Sequence, residues 1–169
     1  MRRILGLGAA VAGLLASSAA ADDFPGRQFG LWQQTLTLDD GRYVIPPSQM
    51  CIDAKTEPRL TLVGAQMDRG HCSEYHMVQQ ADGRWSFHSV CSLGATASVV
   101  TAGTAWGDFR GHYAVDATGT TAGSAKPEQN GTHRIVIDAT WLGPCPLGMA
   151  GGDVKSGGKT SNVFAKTSK

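Results

Sequence analysis

Between Gly70 and Cys91 the chain reads GHCSEYHMVQQADGRWSFHSVC, placing two cysteines, three histidines and a glutamate in one short stretch. Imidazole and carboxylate are donors that zinc and copper accept, while thiols ligate metals, exchange disulfides or cross-link. Which of these groups meet depends on the register of the strands that carry them. QADGR has the form of a three-residue hairpin loop, Ala81-Asp82-Gly83, with the glycine left-handed, and it pairs Gln80 with Arg84. Because a pleated strand alternates sides, Tyr75, Met77, Trp85, Phe87 and Cys91 then share the core face. Cys72, Glu74, His76, Val78, Ser86, His88 and Val90 share the other, with His76 directly opposite His88 and Glu74 two residues away. These three are the candidate metal ligands. A fourth ligand is not identifiable, and opposed histidines are also ordinary neighbours on a solvated sheet. No catalytic residue, metal or other cofactor is therefore assigned; His71, His112 and His133 have still less to recommend them.

The four cysteines are Cys51, Cys72, Cys91 and Cys145, without a C-x-x-C pair, so neither a thioredoxin-type centre nor a zinc knuckle has its usual spacing. The first residues give them a compartment. Arg2-Arg3, an apolar run from Ile4 to about Leu15 and the small residues ending at Ala21 are the three parts of a signal peptide, cut before Asp22. The apolar run is shorter than the roughly 20 residues needed to span a bilayer. The expectation is a periplasmic or secreted protein with residues 1–21 removed near Ala21, no integral membrane segment after cleavage, and two disulfides. Cys72 and Cys91 close the ends of the hairpin, yet strict alternation sets them on opposite faces. A bulge near Cys72 would turn it back. Cys72–Cys91 with Cys51–Cys145 is the favoured pairing; Cys51 with Cys72 or Cys51 with Cys91 remain open, each leaving Cys145 the remaining partner.

Loss of Arg2 and Arg3 with the leader takes the formal net charge from +1 to −1. That balance argues against a nucleic-acid partner, which needs a clustered basic surface. Residues 22–145 are the size of one domain. Frequent glycines and short alternating runs point to an all-β chain: a curved antiparallel sheet or partly closed β-barrel of about seven strands. GLWQQTLTL over 30–38 is followed by strands near 59–64, 73–80, 84–92, 95–105, 109–117 and 132–141. YVIPPSQM at 43–50 is an edge or a loop because Pro46 and Pro47 cannot donate to a ladder, and CIDAKTEP holds one helical turn. TGTTAGSAKPEQNG at 118–131 reads as a long exposed loop, and residues 146–169 as a low-complexity, disordered tail. GDVKSGGKT in that tail is no phosphate loop, since Asp153 stands where the pattern needs glycine and no strand is expected before it.

GLW at 30–32, PPSQMC at 46–51, the Gly-x-Cys at 70–72, a hairpin ending at Cys91, GTAWGDFRGHY at 103–113 and LGPC at 142–145 together resemble a family of small exported bacterial proteins, domain of unknown function 3617. The resemblance implies an exported, disulfide-bonded β domain and carries over no activity, cofactor or catalytic residue. The tail after Cys145 departs from that pattern.

For catalysis, no G-x-S-x-G elbow occurs and the acidic residues fall mainly in turns, so no reaction is assigned. Trp32, Trp85, Phe87, Trp106, Phe109 and Trp141 either fill the core or line a cradle for an apolar small molecule or an envelope protein. The resulting expectation is a non-catalytic binding or structural module of the cell envelope. The alternative is an envelope enzyme or metal protein built on His76, His88 and Glu74. A ligand-sized apolar cavity favours binding; a filled interior counts against it.

Overall fold

The computed structural model describes Phe24, residues 26–63 and residues 68–165. The expected signal peptide and its cleavage site lie outside the described residues, as do residues 166–169. Among the described residues ten strands form one antiparallel sheet: β1 (Gly30–Leu38), β2 (Tyr43–Val44), β3 (Ser48–Ile52), β4 (Cys72–Gln79), β5 (Trp85–Ser92), β6 (Ser98–Gly107), β7 (His112–Ala122), β8 (Gly131–Gly143), β9 (Asp153–Ser156) and β10 (Lys159–Asn162). Their order is β10-β9-β3-β1-β8-β7-β6-β5-β4, with β2 beside the far end of β1. Short connections make β4 to β8 a meander, and β8 then takes β1 on its free side. The sheet does not close: β10 and β4 stand at its two ends.

One face of this sheet is the core. Cross-strand rows run Trp32–Trp141, then Gln34–Ala139–Tyr113, Leu36–Ile137–Val115–Ala105, and Leu38–Ile135–Ala117–Gly103. Leu60, Leu62 and Val63 pack onto this face with Phe24, Val163 and Phe164. The expected strand at 59–64 is thus corrected: Glu57–Arg59 is a 3-10 turn, and Leu60 makes a single bridge to Asp68. Leu60, Thr61 and Leu62 are all buried. A half-exposed strand would have left one of them in water, whereas here the run lies against the sheet instead of joining it.

Further boundaries moved. β3 takes Cys51 and Ile52 out of the expected helical turn and places Ser48–Ile52 between β1 and β9. β7 continues to Ala122, so the loop before β8 is residues 123–130, not 118–131. Its polar residues satisfy one another: Ser124 N donates to Asn130 Oδ1 at 2.9 Å, and Asn130 Nδ2 returns a bond to Ser124 O at 2.9 Å. The expected disordered tail is also corrected over its described part. β9 and β10 form a hairpin, β9 pairs with β3, and Val154 is buried against the core.

The turn between β6 and β7 shows how one carboxylate can hold a strained backbone. Phe109 is buried with φ 54°, in the left-handed region that side chains rarely adopt. It is held there by stacking on Tyr113 and by edge contact with Phe24. Asp108 Oδ1 accepts the N–H groups of Arg110, Gly111 and His112 at 2.8–2.9 Å. These three bonds, first that from His112, lower the Asp108 pKa to about 2. A carboxyl that releases its proton more readily when folded stabilises the fold above its unfolded pKa of about 4 and loses that contribution as pH falls towards 2. Asp108→Ala is therefore expected to lower the urea midpoint at pH 7 and to flatten its decline between pH 4 and pH 2. An unchanged acid slope would show that the bonds to Asp108 are not maintained in solution.

Candidate functional site

The hairpin within Gly70–Cys91 folds in the expected register. His76 is paired with His88, Met77 with Phe87, and Gln80 N donates to Arg84 O at 2.7 Å across the loop. A register shift between Cys72 and Glu74 supplies the bulge, Cys72 pairs with Cys91, and the two are bonded. The second disulfide joins Cys51 to Cys145. On the outer face Glu74 Oε2 lies 3.7 Å from His88 Nδ1, with both side chains about half exposed. Among the described residues no group of three or more His, Cys, Asp and Glu is placed to hold a metal ion.

The inner face has two different ends. At one, aromatic rings fill the space: Trp32 lies against Tyr113, and Phe24 meets Trp85 and Phe109 edge-on. Trp106 instead stands half-buried, with the Arg84 guanidinium over its ring, and Trp141 Nε1 donates to Phe29 O at 3.1 Å. At the other end the rows are built from small and aliphatic residues, and a cavity of about 460 Å³ opens. Its sheet residues are Leu38, Tyr43, Val99, Gly119, Thr121, His133 and Ile135, joined by Ile45 after β2 and by Glu128 and Gln129 of the loop before β8. Gly119 makes the room. A Cβ at that position would stand 3.0 Å from Ile135 Cδ1 and 3.8 Å from Val99 Cγ2.

The rim beside Tyr43 is a tight turn. Asp39 and Asp40 both have positive φ, at 48° and 57°, and Gly41 follows at 89°. Residues of β8 hold this turn. Asp39 Oδ2 is 2.7 Å from His133 Nδ1, Asp39 Oδ1 accepts from Arg134 N at 2.9 Å, and the Arg134 guanidinium bonds Asp40 and Asp116. The His133 bond is the main reason that the Asp39 carboxyl lies below the usual carboxylate range. Tyr43 meets the same imidazole edge-on at 6.1 Å.

Sequence reasoning passed over His133 and Asp39. They lie 94 positions apart, and nothing local marks either one; only the pairing of β1 with β8 brings them together. Expected ligands His76, His88 and Glu74 sit on the opposite face of the sheet from this cavity.

No helix among the described residues is long and apolar enough to cross a membrane. No curated protein and no solved structure matches the chain significantly. A family model described as "Protein of unknown function (DUF3617)" matches residues 27–145. β9 and β10 lie beyond that match, yet they complete the sheet alongside β3. The match spans more than half of the chain, which belongs to this family.

Proposed function

We propose that the protein is an exported, non-catalytic binding module of the cell envelope, and that its ligand is a small apolar molecule held at the open end of the inner sheet face. The cavity carries this reading. Its volume of about 460 Å³ lies within the range of small-molecule sites, roughly 300–1,000 Å³, and most of its lining is hydrocarbon with a few polar groups at the edge. The two disulfides and the N-terminal leader pattern support an oxidising compartment.

The floor gives the test. Gly119 has an ordinary strand conformation, so a larger residue is compatible with its backbone, and Leu at this position would project into the cavity. Gly119→Leu is expected to weaken binding of the neutral apolar fluorophore N-phenyl-1-naphthylamine by about tenfold or more. The added side chain displaces Ile135 at a cost of about 1–3 kcal/mol, which leaves the domain folded. Titration by fluorescence, with unfolding followed by circular dichroism, separates the two effects. A folded variant that binds the fluorophore as the parent does would sink the cavity reading. Native mass spectrometry of protein purified from an exporting host supplies an independent readout, a copurifying apolar molecule.

A further inference from the structure

We infer that Asn130 is a self-modification site, at which the Gly131 backbone nitrogen converts the asparagine through a cyclic imide to aspartate or isoaspartate, and that a clasp to Ser124 sets the rate. The chemistry starts from two neighbours. Asn130 carries a carboxamide, and Gly131, without a Cβ, puts the least bulk around the nitrogen that follows it. Gly131 N, losing its proton, bonds to Asn130 Cγ; the Cγ–Nδ2 bond breaks and ammonia leaves. Water then opens the ring at one of its two carbonyl carbons, leaving aspartate at position 130 or a backbone routed through the side chain. No other reagent is needed. The other asparagine of the chain, Asn162, is followed by Val163, whose branched side chain crowds the corresponding nitrogen.

In the folded loop the reaction is held off twice. Asn130 Oδ1 accepts from Ser124 N and Asn130 Nδ2 donates to Ser124 O, both at 2.9 Å, so the carboxamide is fixed at both ends. Ring closure needs Cβ and Gly131 N on one side of the Cα–C bond, whereas the Asn130 ψ of 151° keeps them well apart. Rotating that bond would pull Gly131 from its place opposite Thr121 at the start of β8. The clasp nevertheless sits at the edge of the fold. Asn130 is half-buried, Gly131 is exposed and residues 125–129 face solvent, so the loop opens without unfolding the sheet. Conversion is one-way. The product carboxylate has no hydrogen to return to Ser124 O and sets negative charge against it, and isoaspartate adds an atom to the backbone where β8 begins. The loop that carries Glu128 and Gln129 to the cavity thereby loses its tie, whatever that cavity binds.

The full mature protein is incubated at pH 8.5, folded or in guanidinium chloride, and conversion is read by mass spectrometry of protease digests with Asn162 as internal reference. Asn130 is expected to convert well ahead of Asn162 in the unfolded chain, and about tenfold or more slowly in the folded protein, the scale of two hydrogen bonds. Asn130→Asp reproduces one product. It is expected to raise the rate at which a glutamate-specific protease cuts after Glu128 by about tenfold, since cleavage follows the open population, with the urea midpoint little changed. Equal conversion in folded and unfolded protein overturns the clasp. Conversion of Asn130 no faster than of Asn162 in the unfolded chain overturns the modification site. An unchanged cleavage rate for Asn130→Asp overturns the release of the loop. The comparison of folded with unfolded parent needs no variant, and no readout uses the fluorophore, so these outcomes are separate from the fate of the cavity reading.

Discussion

Arg27→Met is expected to destabilise the domain by about 3–5 kcal/mol, because it leaves a buried carboxylate without its counter-charge. The Arg27 side chain is 1% exposed and that of Glu57 10%. Arg27 Nε contacts Glu57 Oε1 and Oε2 at 3.1 and 3.0 Å, Nη2 reaches Oε2 at 2.8 Å, and the Arg27 backbone N–H adds a bond of 2.7 Å to Oε1. Burial alone works against the Arg27 charge, but Tyr113 and Glu57 outweigh it and the pKa is raised. Tyr113 Oη also receives Gln34 Nε2, so the network ties the chain before β1, the turn before Leu60 and the sheet together. Breaking one partner strands the other; removing both leaves neither charge. The double substitution Arg27→Met with Glu57→Leu should therefore recover most of the loss, which a double-mutant cycle in urea measures. Two single losses that simply add in the double variant would refute coupling between these side chains. Gln34 and Tyr113 lie two rows from Leu38 and Ile135. Fluorophore binding by the folded fraction should therefore survive Arg27→Met, separating this network from the ligand site.

Local rules reached the central hairpin and stopped at the ends of the sheet. Gly83 in its loop fixed the register of β4 and β5, and with it the bulge that lets Cys72 meet Cys91. The period of two likewise marked GLWQQTLTL over 30–38 as a strand, and β1 does set Trp32, Leu36 and Leu38 on one face. It misjudged Leu60–Val63, where a short apolar run looks the same whether it joins a sheet or lies across one. The tail was misread for the opposite reason. Lys155, Gly157, Gly158 and Lys159 make a polar, glycine-rich segment that has little apolar surface of its own. β9 becomes ordered because β3 offers it an edge and a place for Val154, neither of which is encoded near residue 154. The cavity was legible only as a possibility. Gly119 looked like part of a loop, and its effect depends on lying between His133 and Thr101 on neighbouring strands.

The two disulfides should differ in worth, and the difference follows from the chain they enclose. Cys51 and Cys145 are 94 positions apart, Cys72 and Cys91 only 19. If a cross-link acts by restricting the unfolded chain, the longer loop is worth about 4–5 kcal/mol and the shorter about 3 kcal/mol. Native pairing sharpens the contrast. Hairpin hydrogen bonds from the loop at Gln80–Arg84 onward still hold β4 to β5 without Cys72–Cys91. Cys51–Cys145 works at a junction of greater range, where Cys51 on β3 pairs with Leu31 and Leu31 with Gly143 at the end of β8. Paired replacement of Cys51 and Cys145 by alanine is thus expected to lower the urea midpoint more than paired replacement of Cys72 and Cys91, with circular dichroism as the readout. Both singly bridged variants should remain more stable than fully reduced protein. An equal loss from the two replacements would transfer the explanation from the unfolded chain to native packing, since Cys51 and Cys91 are equally buried at 2% exposure. A larger loss for Cys72 and Cys91 would show that the hairpin depends on its bridge to hold the bulge at Ser73, and that the β4 edge is the weakest part of the sheet.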